Sequence, residues 1–132
     1  MNITEFLAVA NAIVPDRTAI TFEGLRISFS ELEHRVTRLA NALRKLGIGA
    51  GNRVAIMDTN NSATVEAYLA SAKLDAVFVP LNYRSKATEL SSILRICDPT
   101  VLLVGARYRS LVQMAIGNRS GPKHLIIIGE TS

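Results

Sequence analysis

Four short apolar, β-rich runs recur at near-even spacing from Arg53 onward, and they restrict the fold more than any other feature. They are RVAIM from Arg53, AVFVP from Ala76, VLLV from Val101 and HLIII from His124, with starts 23, 25 and 23 residues apart. A strand that is apolar throughout belongs in a parallel sheet covered by helices on both faces. Three helical patterns fill the intervals. The first is about Ser62–Lys73, with Val65, Leu69 and Ala72 inward. The second is about Ala87–Ile96, with Leu90, Ile93, Leu94 and then Cys97 on one face. The third is about Arg107–Ile116, with Tyr108, Leu111, Val112 and Ala115 inward.

Strand–helix–strand at this spacing is the βαβ unit, whose crossovers are right-handed. The expected fold is therefore α/β: an open, doubly wound (Rossmann/flavodoxin-like) parallel sheet of about four strands in the order 2-1-3-4. Three elements precede it. A helix from about Ile3 to Val14 places Phe6, Ala10 and Ile13 on one face, and Pro15 stops it. TAITF and RISF flank Glu23-Gly24 as a tight hairpin. Ser30-Glu31-Leu32-Glu33 reads as a capping box opening a long helix with Leu32, Val36, Leu39, Leu43 and Leu46 at helical spacing. His34 points away from that stripe.

The 132 residues fit a single domain, 1–132, and 48% apolar with 20% charged residues is a globular composition. No apolar run is long enough for a transmembrane segment. EFLAVANAIV lacks the basic flank of a secretory signal, and a lone Cys97 suits a reducing, cytoplasmic setting. Up to Pro80 the chain holds 8 Lys/Arg and 8 Asp/Glu; from Leu81 it holds 7 and 3, so the whole net charge of +4 lies there. A solvated basic face is one reading and attraction for a polyanion such as a nucleotide is another. Without a Lys/Arg block interleaved with aromatics, nucleic acid is not the expected partner.

Gly47, Gly49 and Gly51 in KLGIGAGNRVAIM resemble a phosphate-cradling loop. A dinucleotide fingerprint, however, needs strand, loop, helix, so that phosphate meets the new helix's free amides. Here the glycines follow a helix and precede a strand. The expected roles are a left-handed C-cap at Gly47 and a sharp turn through Gly49 and Gly51. DTNNSAT (Asp58–Thr64) does stand between strand and helix, but it lacks glycine and brings a negative charge, so Ser62 is read as a plain N-cap. SGPK (Ser120–Lys123) leads into a strand and reads as a turn. His34 and His124 have no motif partner, and no metal, hydrolytic or nucleophilic constellation can be assembled.

The string PDRTAITFEGLRISFSELEHRVTRLANALRKLGIGAGNRVAIM, continuing through NNSATVEAYLASAKLDAVFVPLNYRSKATELSSILRICDPTVLLV, resembles the start of AMP-forming acyl-CoA synthetases of the adenylate-forming superfamily. It looks most like the fatty-acid–CoA ligase branch. Two positions depart from the pattern: Asn52 stands for an Asp and Asp75 for a Gly at a helix end. The resemblance implies a two-step ligase. A carboxylate and ATP give an acyl-adenylate and pyrophosphate, and the thiol of coenzyme A (CoA) then displaces AMP. It implies ATP, Mg2+ and CoA in the full-length enzyme, and none bound to this chain.

The family's phosphate loop, its Thr-Glu motif, its ribose-binding Asp and its catalytic Lys have no match here, so no catalytic residue is assigned and the chain alone is expected to be inactive. Its expected partners are the missing downstream domains, with self-association through the apolar surface they would cover. Leu81, Asn82 and Arg107 match positions that lie near the CoA nucleotide in some relatives. The rival expectation is a stand-alone flavodoxin-like nucleotide-binding or protein-interaction module with a phosphate site at Thr59–Thr64.

Overall fold

Elements form in the expected order in the computed structural model, which describes residues 3–59 and 61–129. Helix α1 (Ile3–Ile13) ends before Pro15, and strands β1 (Thr18–Phe22) and β2 (Leu25–Ser28) form an antiparallel hairpin. Its two turn residues, Glu23 and Gly24, have φ of 49° and 79°. Positive φ at both positions matches the right-handed strand twist.

Helix α2 (Phe29–Lys45) starts two residues earlier than a cap at Ser30 would place it. Ser28, not Ser30, is the N-cap: its Oγ accepts the Glu31 amide at 3.1 Å, and Glu31 Oε1 accepts the Ser28 amide at 3.4 Å. Two Ser-x-x-Glu boxes overlap here, and tertiary contacts choose between them. The amides of Phe29 and Ser30 are drawn to the carbonyls of Arg17 and Pro15, each at 3.0 Å. Glu33 is engaged elsewhere, by Lys73 Nζ at 2.9 Å.

The helix exit is a Schellman motif. The Gly47 amide donates to Arg44 O at 2.9 Å and the Ile48 amide to Leu43 O at 3.1 Å. Gly47 has φ 90° and Gly51 φ 81°, whereas Gly49 does not need a glycine conformation; its amide simply donates to Asn52 Oδ1 at 2.8 Å. Asn52 therefore serves this turn through an oxygen that the family's usual Asp would also supply.

Strands β3 (Arg53–Met57), β4 (Val77–Pro80), β5 (Val101–Gly105) and β6 (His124–Ile128) then pair in parallel, with spatial order β4-β3-β5-β6. This is the expected 2-1-3-4. Pro80 sits on an edge strand, where its missing amide is tolerated. Helix α3 (Ser62–Lys73) joins β3 to β4, and α4 (Ala87–Cys97) joins β4 to β5. A 3-10 turn (Ala106–Tyr108) and α5 (Arg109–Ile116) join β5 to β6, so the expected third helix is split in two.

Two apolar layers sandwich the sheet. Val54, Ile56, Val101 and Leu103 face the layer made by α1–α3 and Ile27. Ala55, Met57, Leu102 and Val104 face the layer made by α4 and α5. Ion pairs Arg35–Glu66 and Lys73–Glu33, both at 2.9 Å, tie α3 to α2.

Several expected faces are rotated. In α1 the buried anchor is Leu7, while Phe6 and Ile13 are 56% and 72% exposed. Val65 in α3 and Ile93 in α4 also turn outward, and α3 buries the expected Leu69 together with Ala67, Ala70 and Ser71. These helices carry apolar residues around most of their circumference, so periodicity permits several faces and packing selects one. At the end of α3, Asp75 adopts φ 57°, the left-handed conformation that a Gly at this helix end would take most readily.

The glycine run yields a contrast. Gly47→Ala should cost about 1 kcal/mol, because its φ penalises a Cβ. Gly49→Ala should stay within about 0.5 kcal/mol. Urea denaturation of both variants measures the difference.

Candidate functional site

The strand order reverses beside β3. The chain leaves β3 toward β4 on one side and returns to β5 on the other. Loops at the carboxyl ends of β3 and β5 must therefore diverge, and a crevice opens between them, the usual ligand position in open α/β sheets. A cleft of about 610 Å³ lies there, lined by Asp58, Thr59 and Asn61 after β3, by Gly105 at the end of β5, by Arg107 and Arg109 after it, and by Glu23 from the hairpin turn. A second cleft of about 300 Å³ lies between β3 and β4, lined by Ile56, Asp58, Thr64, Leu81, Asn82 and Tyr83. Asp58 borders both.

Asp58 is held in place by local chemistry. Its Oδ1 accepts the Thr59 amide at 2.8 Å and its Oδ2 accepts Asn61 Nδ2 at 3.0 Å. The carboxylate lies directly over Gly105, where an added Cβ would sit 2.5 Å from Asp58 Cγ and 2.9 Å from Oδ2. Asn61, not Ser62, caps α3: its Oδ1 accepts the Thr64 amide at 3.2 Å. The expected cap shifts by one residue because the Asn61 side chain reaches both Asp58 and the first helical turn. Asn60 lies outside the described residues. The strand–helix loop that could have taken a phosphate thus already carries an anion of its own.

The structure sets the three sequence-chosen residues on one edge of the sheet but in two turns. Leu81 is buried and its amide donates to Ile56 O at 2.9 Å, so it can offer a ligand little beyond its carbonyl. Asn82 is exposed, and its Oδ1 closes its own turn by accepting the Arg84 amide at 2.9 Å. Arg107 is exposed in the 3-10 turn, not at the start of an α-helix as expected. Its cleft neighbour Arg109 takes that position.

Sequence reasoning passed over Arg109, Tyr83, Arg84 and Tyr108. The Tyr83 and Tyr108 rings meet at 6.0 Å between centroids, and the Arg84 guanidinium lies 5.4 Å from the Tyr83 centroid. A signal was present: Asn-Tyr-Arg after one strand and Arg-Tyr-Arg after the next place the same Tyr–Arg pair at both turns. Arg84, Arg107 and Arg109 bring three of the seven cations beyond Leu81 to this edge.

The remaining reactive groups lie apart from it. The half-buried Cys97 thiol is pushed up from its usual range by burial, partly offset by Arg53, which leaves it a poor nucleophile. His34 is exposed on α2, and His124 starts β6 at the opposite edge of the sheet. Among the described residues no group of three or more His, Cys, Asp or Glu could hold a metal ion, and no helix is long and apolar enough to cross a membrane.

Residues 7–130 match the sequence profile of the AMP-binding enzyme family. The chain is 30% identical over 128 residues to a 3-oxocholest-4-en-26-oate–CoA ligase of Rhodococcus rhodochrous, covering 97% of this chain and 23% of that protein. It is 40% identical over 89 residues to a feruloyl-CoA synthase of an Amycolatopsis species, covering 67% of this chain and 18% of the relative. Among solved structures, a Rhodopseudomonas palustris protein assigned as a long-chain-fatty-acid CoA ligase superposes over the whole chain. Its TM-score is 0.92 at 32% identity, and the match spans 34% of its own length. The chain thus spans about a quarter or less of the curated relatives.

Gly105→Ala should displace the Asp58 carboxylate and cost about 1–3 kcal/mol, the usual range for overpacking. Denaturation gives the cost. A large NMR shift of the Thr59 amide, whose partner is Asp58, would locate it.

Proposed function

This chain belongs to the AMP-binding enzyme family, and we propose that it forms the first part of the large N-terminal domain of an AMP-forming acyl-CoA ligase. The observation that carries this reading is a match along essentially the whole chain, in sequence and in fold, to proteins that join carboxylic acids to CoA. The reaction is the two-step ligation implied by the resemblance: adenylation of a carboxylate by ATP with Mg2+, then thioester formation. Adenylation converts a poor leaving group into a good one.

The relatives act on a steroid acid, on ferulic acid and on long-chain fatty acids by name. We read the acid here as a fatty acid, following the branch that the sequence most resembles.

In this scheme the segment contributes scaffold and part of the CoA surface. CoA supplies the attacking thiol when bound. The cleft's chemistry fits the polyanionic end of that molecule: two arginines, Arg107 and Arg109, line about 610 Å³ of open space. A guanidinium offers several donors in a fork that matches phosphate oxygens. The Asn82 side-chain amide and the Leu81 carbonyl border the adjoining cleft and would meet the nucleotide's less charged part. The groups that would hold ATP and Mg2+ are not supplied by these residues, so we assign the chain alone no turnover.

An apolar groove of about 290 Å³ beside β6, lined by Leu39, Leu46, Leu103, Ile126 and Ile128, supports packing against further domains of the ligase. Its exposure without them supports self-association. A cytoplasmic setting, no nucleic-acid partner and no membrane span complete the reading. The Asp58 carboxylate, held by the Thr59 amide and the Asn61 side chain, counts against a phosphate site of the flavodoxin-like alternative at Thr59–Thr64.

Arg107→Glu in a full-length ligase carrying this segment should raise the apparent KM for CoA roughly tenfold or more, the scale of one lost charge-assisted hydrogen bond. The KM for ATP should not change. An unaltered CoA value removes Arg107 from the site. The chain by itself should show no ATP–pyrophosphate exchange above background; robust exchange would overturn its reading as scaffold.

A further inference from the structure

The two turns that carry Asn82 and Arg107 have no backbone connection to each other. They follow β4 and β5, and β3 lies between these strands. Two strand spacings, roughly 10 Å, therefore separate the turns, and no ladder hydrogen bond crosses that distance. What crosses it is a pair of side chains. Tyr83 stands next to Asn82, and Tyr108 stands next to Arg107. Their ring centroids are 6.0 Å apart with planes tilted by 47°, the range of attractive aromatic pairs.

Both rings are half-buried and pack against the same apolar layer, the one that includes Leu90, Leu94, Val104 and Val112. The Arg84 guanidinium approaches the Tyr83 ring at 5.4 Å and adds a cation–π contact. Each turn is closed locally, by the Asn82–Arg84 bond on one side and by the Arg109 amide to Ala106 O on the other. Those bonds shape each turn, and the Leu81 amide on Ile56 O holds the base of the first to β3, but none of them joins one turn to the other.

We infer that the Tyr83–Tyr108 contact is a strut that sets this spacing, and that both tyrosines are positioning residues for the Asn82 and Arg107 turns. Its use in CoA recognition rests on the reading given above; the strut itself does not. The rings act through contact area, so phenylalanine should serve nearly as well as tyrosine, and leucine should not.

The test uses NMR backbone order parameters on this chain. Tyr83→Leu should lower order in its own turn, residues 82–85, and also in the distant turn, residues 106–109, while β3 and β5 stay rigid. Tyr83→Phe should match the native chain. A purely local role would disturb residues 82–85 alone, so native order at 106–109 in Tyr83→Leu overturns the strut. Should Tyr83→Leu fold poorly, Tyr108→Leu read at residues 82–85 applies the same test from the other side, with the same outcome required.

A second arm uses a full-length ligase carrying this segment. There Tyr83→Leu should raise the apparent KM for CoA about two- to tenfold, the scale of one aromatic pair, with the KM for ATP unchanged and recovery in Tyr83→Phe. Loosened turns with an unchanged CoA value would keep the strut and remove the nucleotide from these turns.

Discussion

The side-by-side burial of β3 and β5 is the constraint on which the rest of the structure depends. β5 is buried along all five residues and β3 along four of five. Each fully buried Val, Leu or Ile side chain contributes about 1.5–3 kcal/mol, and these two short strands hold six buried ones. Strands buried on both faces need helices on both faces, so the crossover from β3 to β4 passes on one face of the sheet and those leading to β5 and β6 pass on the other: α3 covers the first, α4 and α5 the second. That divergence of connections beside β3 opens the crevice. The cleft at Asp58, Arg107 and Arg109 is thus a consequence of how the core is covered.

The two edges of the sheet consequently do different work. At the amino edge the chain enters β3 through Gly47–Gly51, and the task is to end one helix and begin a strand. Positive φ at Gly47 and Gly51 and the Schellman bonds to Arg44 and Leu43 accomplish this. A helix C-terminus presents carbonyls, so an anion gains nothing there. At the carboxyl edge the chain leaves the sheet through polar turns, and exposed amides and cations collect. The glycine run that looks most like a nucleotide loop lies at the edge where none could form, whereas the clefts adjoin loops whose sequence is unremarkable apart from arginine and tyrosine.

Much of this was legible in the sequence, for identifiable reasons. The spacing of RVAIM, AVFVP, VLLV and HLIII reports a parallel sheet directly, but only β3 and β5 are buried along their length; the edge strands β4 and β6 expose Val77 and Leu125. Pro15, Glu23-Gly24, Gly47 and Asp75 mark turns and helix ends by backbone chemistry that tertiary packing does not override. Three kinds of feature escaped. Helix faces in α1 and α3 were misread because Phe6, Leu7, Val9 and Ile13, or Val65 and Leu69, offer more than one apolar stripe. Caps moved because neighbouring hydrogen bonds decided between Ser28 and Ser30, and between Asn61 and Ser62. The Tyr83–Tyr108 contact joins residues in separate turns across an intervening strand, a relation that no local pattern encodes.

The distribution of charge at the carboxyl edge follows from the same geometry. The amino end of α3 would ordinarily attract an anion, through free amides and the positive end of its dipole. Here that position is satisfied internally: Asp58 takes the Thr59 amide and the Asn61 side chain, and Asn61 takes the Thr64 amide. An external phosphate approaching this side would meet the Asp58 carboxylate. On the β5 side Arg107 and Arg109 lie within the same cleft with no carboxylate within ion-pair distance among the described residues. The cleft thus has an anionic wall toward α3 and a cationic wall toward α5, with Glu23 of the hairpin turn as a second carboxylate in its lining. The close packing of Asp58 on Gly105 fixes the anionic wall, and the contact of Tyr108 with Tyr83 steadies the turn that carries the cationic one.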